Sequence, residues 1–367
     1  MDNFGTVFAL YKYGEEIHYN FKEEFFMKKK MLKSVALILC LALAMGMFAG
    51  CGGNTDEGGA EVVTFKIANM YADDSYESQS MYKFKEIVEG KTDSIKIEVY
   101  TNAVLGSEET INDSVKAGTI EMGVVGSSLS AYLPLFAMGE YPYLFADYTE
   151  AKAVMADEQF IELTTGDAAE HGFVFLHYAP AGFRQITSNK PINSLADLAG
   201  FRLRVPNIPI YLDWAEGTGV NAIAMSLSEL FTALEQGVAD GQENPYNVII
   251  ANKFYEVQPY VLESRHMMTT HGWIANPEWW NGMDDETKAI IEESIAEAID
   301  YCWQITEEGE AGEADSLRDL GIEVIVPDEA FKAEMVASQS ALKEKYIAEH
   351  PGSDAVFARV EEVKAAL

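Results

Sequence analysis

The sequence predicts an α/β protein of two similarly built lobes braced by one long helix. Three observations carry that reading. Runs of β-branched residues alternate with stretches of helical periodicity, as in a largely parallel α/β sheet. The run Lys116-Ala117-Gly118-Thr119-Ile120-Glu121, a helix end, a glycine stop and a strand carrying an acid, is echoed by Glu235-Gln236-Gly237-Val238-Ala239-Asp240. Ile291, Ile295, Ala298, Cys302 and Ile305 recur at steps of four and three inside 285–320, a span longer than most globular helices.

The elements follow in order. Residues 62–68 are rich in β-branched side chains and read as the first strand. Met81, Phe84, Ile87 and Val88 set a helix over 75–89. Residues 95–101 alternate with period two and form a strand, 108–117 a helix stopped by Gly118, and 120–125 the next strand. The second lobe opens near Gly182. Ser194 is the N-cap of a short helix that ends at Gly200, and Phe201-Arg202-Leu203-Arg204-Val205 is a strand closed by Pro206. On that strand Arg202 and Arg204 share the face opposite Phe201, Leu203 and Val205. Ser226 and Glu229 have the spacing of a capping box and open a helix that runs to Gly237. Gly309 and Gly312 weaken the long helix where they fall.

A leader precedes all of this. Lys28, Lys29, Lys30 and Lys33 form a basic patch, an apolar run spans 35–48, and Ala49-Gly50 stands before Cys51. Basic start, short apolar run and small residues describe a secretory signal, and the run is too short for a comfortable membrane span. The Cys51 segment resembles a bacterial lipoprotein signal, with Phe48 departing from the usual aliphatic residue. Lipidation of Cys51 and a polar tether over 51–61 are the expectations, with 27–50 removed. Residues 1–26 precede a complete leader beginning at Met27 and read as a mis-assigned extension, Met27 being the expected start.

The 367 residues carry a formal charge of −33, which makes nucleic acid a poor partner because phosphate binding needs clustered Lys and Arg. An anionic ligand would be repelled by the long-range field, so its capture would rest on a few sheltered cations. The three cysteines, Cys40, Cys51 and Cys302, have no metal-site or disulfide spacing, and Cys302 falls on the apolar side of its helix as a buried thiol. No HExxH pair, Gly-x-Ser-x-Gly elbow or phosphate loop is present. Acidic pairs such as Asp73-Asp74 and Asp284-Asp285 read as solvated turns.

The informative stretch is 182–245. Arg204 ends a strand and Asn244 lies just past another, where α/β sheets bind ligands. A guanidinium fork matches a carboxylate and an Asn adds a neutral donor. Surface arginines paired with abundant acids would fit the same spacing.

At these residues the sequence resembles the solute-binding proteins of tripartite ATP-independent periplasmic (TRAP) transporters, over about 65–331. The resemblance is densest in Arg184-Gln185-Ile186-Thr187-Ser188-Asn189-Lys190-Pro191-Ile192, in Asp197 through Pro206, and in Asp240-Gly241-Gln242-Glu243-Asn244-Pro245. It implies a periplasmic-binding-protein-like fold with crossing connections, lobe I being 62–181 plus 270–309 and lobe II 182–269 plus 310–367. It also implies an organic acid held in the cleft and a two-part membrane permease as partner. The family's carboxylate-clamping arginine maps onto Arg204, its supporting arginine onto Arg184 and its asparagine onto Asn244.

Gly126 stands where sialate-binding members carry an acid, which points away from sialate; a uronate or aldonate is the expected ligand, and a C4-dicarboxylate would prefer a second cation, for which Arg184 could serve. Tyr71, Ser127, Trp214, Tyr246, His271 and Trp273 are the polar and aromatic residues available to such a ligand. The expected substrate-binding set is Arg204, Arg184, Asn244, Tyr71, Ser127, Leu227 and Trp273, in a lipid-anchored extracytoplasmic monomer that needs no cofactor or metal and catalyses nothing. The same fold could instead present its ligand to a membrane sensor kinase or chemoreceptor, or act as an extracellular enzyme on a sugar acid.

Overall fold

A computed structural model describes residues 62–367. The extension, the leader, the tether and Cys51 lie outside the described residues.

The first lobe begins with β1 (Val63–Ala68), α1 (Tyr76–Lys91), β2 (Ile95–Tyr100), α2 (Glu108–Lys116) and β3 (Met122–Val125). Ser75 caps α1 by accepting from the Ser78 N–H at 3.2 Å, and Met81, Phe84 and Val88 form the buried stripe that holds the helix on the sheet. Two 3-10 turns, Ser127–Ala131 and Pro134–Glu140, lead to α3 (Tyr148–Met155), α4 (Glu158–Thr165) and α5 (Ala168–His171). The 15-residue strand β4 (Val174–Ser188) then carries the chain out of the lobe.

The second lobe contains α6 (Leu195–Leu198), β5 (Arg202–Val205), α7 (Pro209–Thr218), β6 (Asn221–Ala224), α8 (Leu227–Glu235), β7 (Gly241–Pro245), α9 (Tyr246–Ala251) and β8 (Tyr260–Leu262). At the start of α8 the Glu229 carboxylate accepts from both the N–H and the hydroxyl of Ser226, at 3.3 and 2.7 Å. Strand β9 (Met268–Ala275) returns the chain to the first lobe, followed by α10 (Pro277–Gly282). The helix α11 (Asp285–Asp319) is 35 residues long, capped at its start by Asp284, and buries Ile291, Ile295, Ala298 and Cys302. Burial pushes the Cys302 thiol up to about 12, leaving it protonated and inert. Last come β10 (Glu323–Ile325), α12 (Glu329–Ser338), α13 (Leu342–Glu349) and α14 (Ser353–Lys364).

The strand order is β2-β1-β3-β9-β4 in the first lobe and continues β4-β7-β5-β6 in the second, with β8 and β10 on the other side of β4. The sheets are mixed rather than largely parallel. Strand β9 runs antiparallel to both of its neighbours, β3 and β4, because β4 and β9 carry the chain in opposite directions between lobes. β4 pairs with β9 as far as Phe183 and with β7 from Arg184 onward, so one strand serves both sheets. Its register shifts between Pro180 and Gly182, and Gly182 holds φ +112°, a conformation that side-chain-bearing residues rarely adopt.

The long helix packs on α1 with one part and on α9 and β10 with another, so it contacts both lobes. One boundary differs from the sequence division. Helix α14, placed there in lobe II, packs against α3 and α4 of the first lobe, where Arg359 bonds Asp157 at 2.6–2.8 Å.

Candidate functional site

A cavity of about 1160 Å³ opens between the lobes. The C-terminal ends of β3 and β5 point into it, bringing Ser127 from one lobe to Arg204 and Leu227 of the other. Six of the seven expected residues line it: Arg204, Arg184, Asn244, Tyr71, Ser127 and Leu227.

Trp273 does not line it. Its indole is 0% exposed and meets the Phe84 ring edge-on at 5.4 Å in the core. The cause is strand direction. β9 runs antiparallel to β3, so its cleft end is its N-terminal half, and His271 lines the cavity while Trp273 lies one step deeper beside Val124. Trp214 is likewise buried, stacked on His266 at 4.0 Å, and the Tyr246 hydroxyl donates to Glu263 at 3.0 Å.

The two arginines differ in state. Arg184 is held by protein partners at all three of its nitrogens. Its Nε and Nη2 donate to the Glu243 carboxylate, Nη2 also to the Glu243 carbonyl at 2.6 Å and to Asn244 Oδ1 at 3.1 Å, and Nη1 to Thr269 at 2.8 Å. Burial acts to lower its pKa, but the Glu243 charge outweighs it and the guanidinium titrates above its ordinary range. The same ion pair holds the Glu243 carboxyl below its usual range despite burial.

Arg204 is 3% exposed and pairs with no carboxylate among the described residues. Its Nε and Nη2 both donate to the Met225 carbonyl, at 3.0 and 2.7 Å, which fixes the plane of the fork and leaves Nη1 uncommitted. Burial presses its pKa down to about 10, with Glu243 opposing and Arg184 assisting. It stays charged at neutral pH, and an arriving anion would relieve the desolvation. Arg202, on the same strand, lies outside the cavity lining and forks onto Asp240 at 2.6 and 2.8 Å.

The first-lobe wall is acidic. The Tyr71 hydroxyl donates to Glu108 Oε1, which also accepts the Gly126 N–H at 2.9 Å, and His271 Nε2 lies 2.8 Å from the Tyr71 oxygen. His271 Nδ1 is 3.5 Å from Glu77 Oε1, and neither atom has a hydrogen-bond partner among the described residues. Burial pushes Glu77 up to about 7 and His271 down to about 3. A Cβ on Gly126 would stand 2.8 Å from Glu108 Oε1 and 3.0 Å from the Tyr71 hydroxyl, so this wall requires glycine there. Farther along, Glu140 accepts from Ser127, from the Thr270 N–H at 3.0 Å and from Tyr211 of the second lobe at 2.9 Å.

The sequence reading missed Glu77, Glu108, Glu140, Tyr211 and Glu243, because in so acidic a chain carboxylates look solvated. A signal existed: Glu77 falls in the stripe 77-81-84-88 with three apolar residues, and Glu108 precedes Ile111 and Val115 at steps of three and four.

The profile of the bacterial extracellular solute-binding protein family 7 matches residues 67–350. The chain belongs to this family. Family 7 proteins are the substrate-binding components of TRAP transporters and work outside the cytoplasm. A protein of Haemophilus influenzae without an assigned function is 37% identical over 77% of this chain and 86% of its own. A TRAP solute-binding protein of Haemophilus influenzae, solved with L-gulonate bound, superposes with a TM-score of 0.78 at 34% identity, over 82% of this chain and 99% of the other. The sugar acid binding protein of Advenella mimigardefordensis, solved with galactonate, gives 0.78 at 27% identity, over 83% and 100%. As a family 7 protein, this chain binds a small solute and hands it to a membrane permease.

Proposed function

We propose that this protein binds a sugar acid, an aldonate or uronate, clamped at its carboxylate by Arg204, and delivers it to the TRAP permease without altering it. The carrying observation is the state of Arg204: buried in the interlobe cavity, charged, and lacking a carboxylate partner among the described residues. Arg184 and Asn244 support the clamp by position, Arg184 through the Glu243 pair and Asn244 through its bond to Arg184. Tyr71, Ser127 and Leu227 shape the rest of the cavity. The sugar acids in the two solved relatives support this ligand class.

Cys51, following Ala49-Gly50, anchors a monomer to the outer face of the membrane through a lipid. Radiolabelled-palmitate incorporation that is lost in Cys51→Ser tests the anchor.

Calorimetric titration against aldonates, uronates, dicarboxylates and keto acids tests the ligand. A sugar acid should bind, and Arg204→Ala should weaken it by about two to three decades, the cost of breaking a buried ion pair. Arg204→Lys should also bind poorly because a point charge loses the fork. Wild-type affinity in Arg204→Lys would overturn the clamp.

A further inference from the structure

The wall opposite the clamp carries chemistry that a carboxylate-binding cleft does not need. Glu108 opens α2 in the cleft lining and is 8% exposed. Its Oε1 is filled by the Tyr71 hydroxyl and the Gly126 N–H, while its Oε2 accepts from no protein group among the described residues. A carboxylate oxygen open to the cavity and free of protein donors is placed to accept from a ligand.

The hydrogen positions along the wall follow from the donors available. Tyr71 has one hydroxyl hydrogen and gives it to Glu108. His271 Nε2, 2.8 Å from the same oxygen, must then be the N–H, which leaves Nδ1 as the lone-pair nitrogen of a neutral ring. Nδ1 is therefore an acceptor left unfilled by the described residues, with Glu77 Oε1 3.5 Å away. His271 and Tyr71 thus both point their hydrogens toward Glu108, which ends the series as an acceptor.

Charge on the other side of the cavity is limited. The cavity lining includes two guanidinium groups, and Glu243 already neutralises Arg184. One uncompensated guanidinium remains among the described lining residues, enough for one ligand carboxylate. A second carboxylate would find no cation and would approach Glu108.

Building on the sugar-acid reading above, we propose that Glu108, aligned by Tyr71 and Gly126, is the specificity-determining residue of the first lobe. It accepts hydroxyl hydrogens of the ligand and rejects a second carboxylate, so the substrate class is monocarboxylic polyhydroxy acids and excludes dicarboxylates.

The test uses hexonates, each paired with the hexarate made by oxidising its terminal CH2OH, in calorimetric titrations of the protein at neutral pH. The wild type should prefer the bound hexonate over its hexarate by at least about 100-fold, since like charges juxtaposed in a cleft cost several kcal/mol. Glu108→Gln keeps the shape and an acceptor for Tyr71 and Gly126. It should weaken the hexonate about tenfold, narrow the preference to within about tenfold, and leave butyrate, which has no hydroxyl, unchanged. Glu292→Gln, an exposed change on α11 outside the cavity lining, should leave the preference intact. Should E108Q not fold, Tyr71→Phe retains the carboxylate and should weaken the hexonate while still excluding the hexarate.

Equal binding of hexonate and hexarate by the wild type overturns the inference while leaving the Arg204 clamp standing. So does a Glu108→Gln effect equal for hexonate, hexarate and butyrate. Failure of every carboxylate to bind overturns the sugar-acid reading, and this inference with it.

Discussion

Arg184 and Glu243 form a buried, doubly hydrogen-bonded ion pair between the adjacent strands β4 and β7, at the point where β4 passes from one lobe to the other. Both side chains are almost fully enclosed, and His266 Nε2 adds a contact to the same carboxylate at 3.2 Å. Its place under the cavity makes it scaffold for the clamp more than a ligand group.

Glu243→Gln therefore strands a buried guanidinium. The expected loss is about 3–5 kcal/mol, seen as a fall in melting midpoint on the order of 5–15 °C. Replacing both partners with apolar residues of similar volume, Arg184→Met with Glu243→Leu, should cost less than either single change. A double variant as unstable as the sum of the two singles would show that the pair is not the coupled unit inferred here.

The Tyr211 hydroxyl of the second lobe donates to Glu140 of the first at 2.9 Å and lies 3.3 Å from the Ser127 hydroxyl. This bond exists only while the lobes are together. Tyr211→Phe should reduce affinity about fivefold, the worth of one hydrogen bond near 1 kcal/mol, and enlarge the radius of gyration without ligand in small-angle scattering. Unchanged values for both would mean that the bond does not contribute to closure.

Stability should depend on pH through Glu77. Burial raises its pKa from 4.5 to about 7, so the folded protein holds a proton that the unfolded chain releases between those values. The contribution is fully present below about pH 4.5 and is lost as pH rises through about 7. Relative to Glu77→Gln, the wild type should lose roughly 3 kcal/mol over that interval. His271, depressed from 6.5 to about 3, contributes with the opposite sign, present above 6.5 and lost as pH falls through about 3, and is common to both proteins. Denaturant melts at pH 4.5, 6 and 7.5 measure the difference, and a constant difference would refute the assignment.

Two glycines of the long helix should respond in opposite directions. Gly312 is exposed, with nothing within 4 Å of an added Cβ, so Gly312→Ala should gain about 1 kcal/mol from helix propensity. At Gly309 an added Cβ would stand 1.8 Å from the Tyr76 hydroxyl, which is held by Glu313 at 2.6 Å. Gly309→Ala should lose about 1–3 kcal/mol despite the better propensity. Thermal melts of the two variants settle the signs.

The sequence made the local elements legible because their signals are local. The stripe of Met81, Phe84 and Val88, the Ser226 to Glu229 spacing and the four-three recurrence from Ile291 each fix a short stretch of backbone. Strand direction was not local. Nothing within Met268–Ala275 states that it runs against Met122–Val125, and that antiparallel pairing is why Trp273 is a core residue and His271 a cavity residue. The second limit was charge. Arg184 looked like a free cation until the fold brought Glu243, distant in sequence, onto the neighbouring strand. Propensity read Gly309 as a weakness, whereas its missing side chain makes room for Tyr76.

The backbone passes between the halves along β4, along β9, within α11 and again before α14, which returns to α3 and α4 of the first lobe. Neither half is an unbroken stretch of gene. Exchanging one half with a relative would mean grafting several separate pieces, and a chain cut short before α14 would lack part of the half made first. Variation among such proteins is therefore expected to accumulate residue by residue along the cleft walls, with the framework inherited whole.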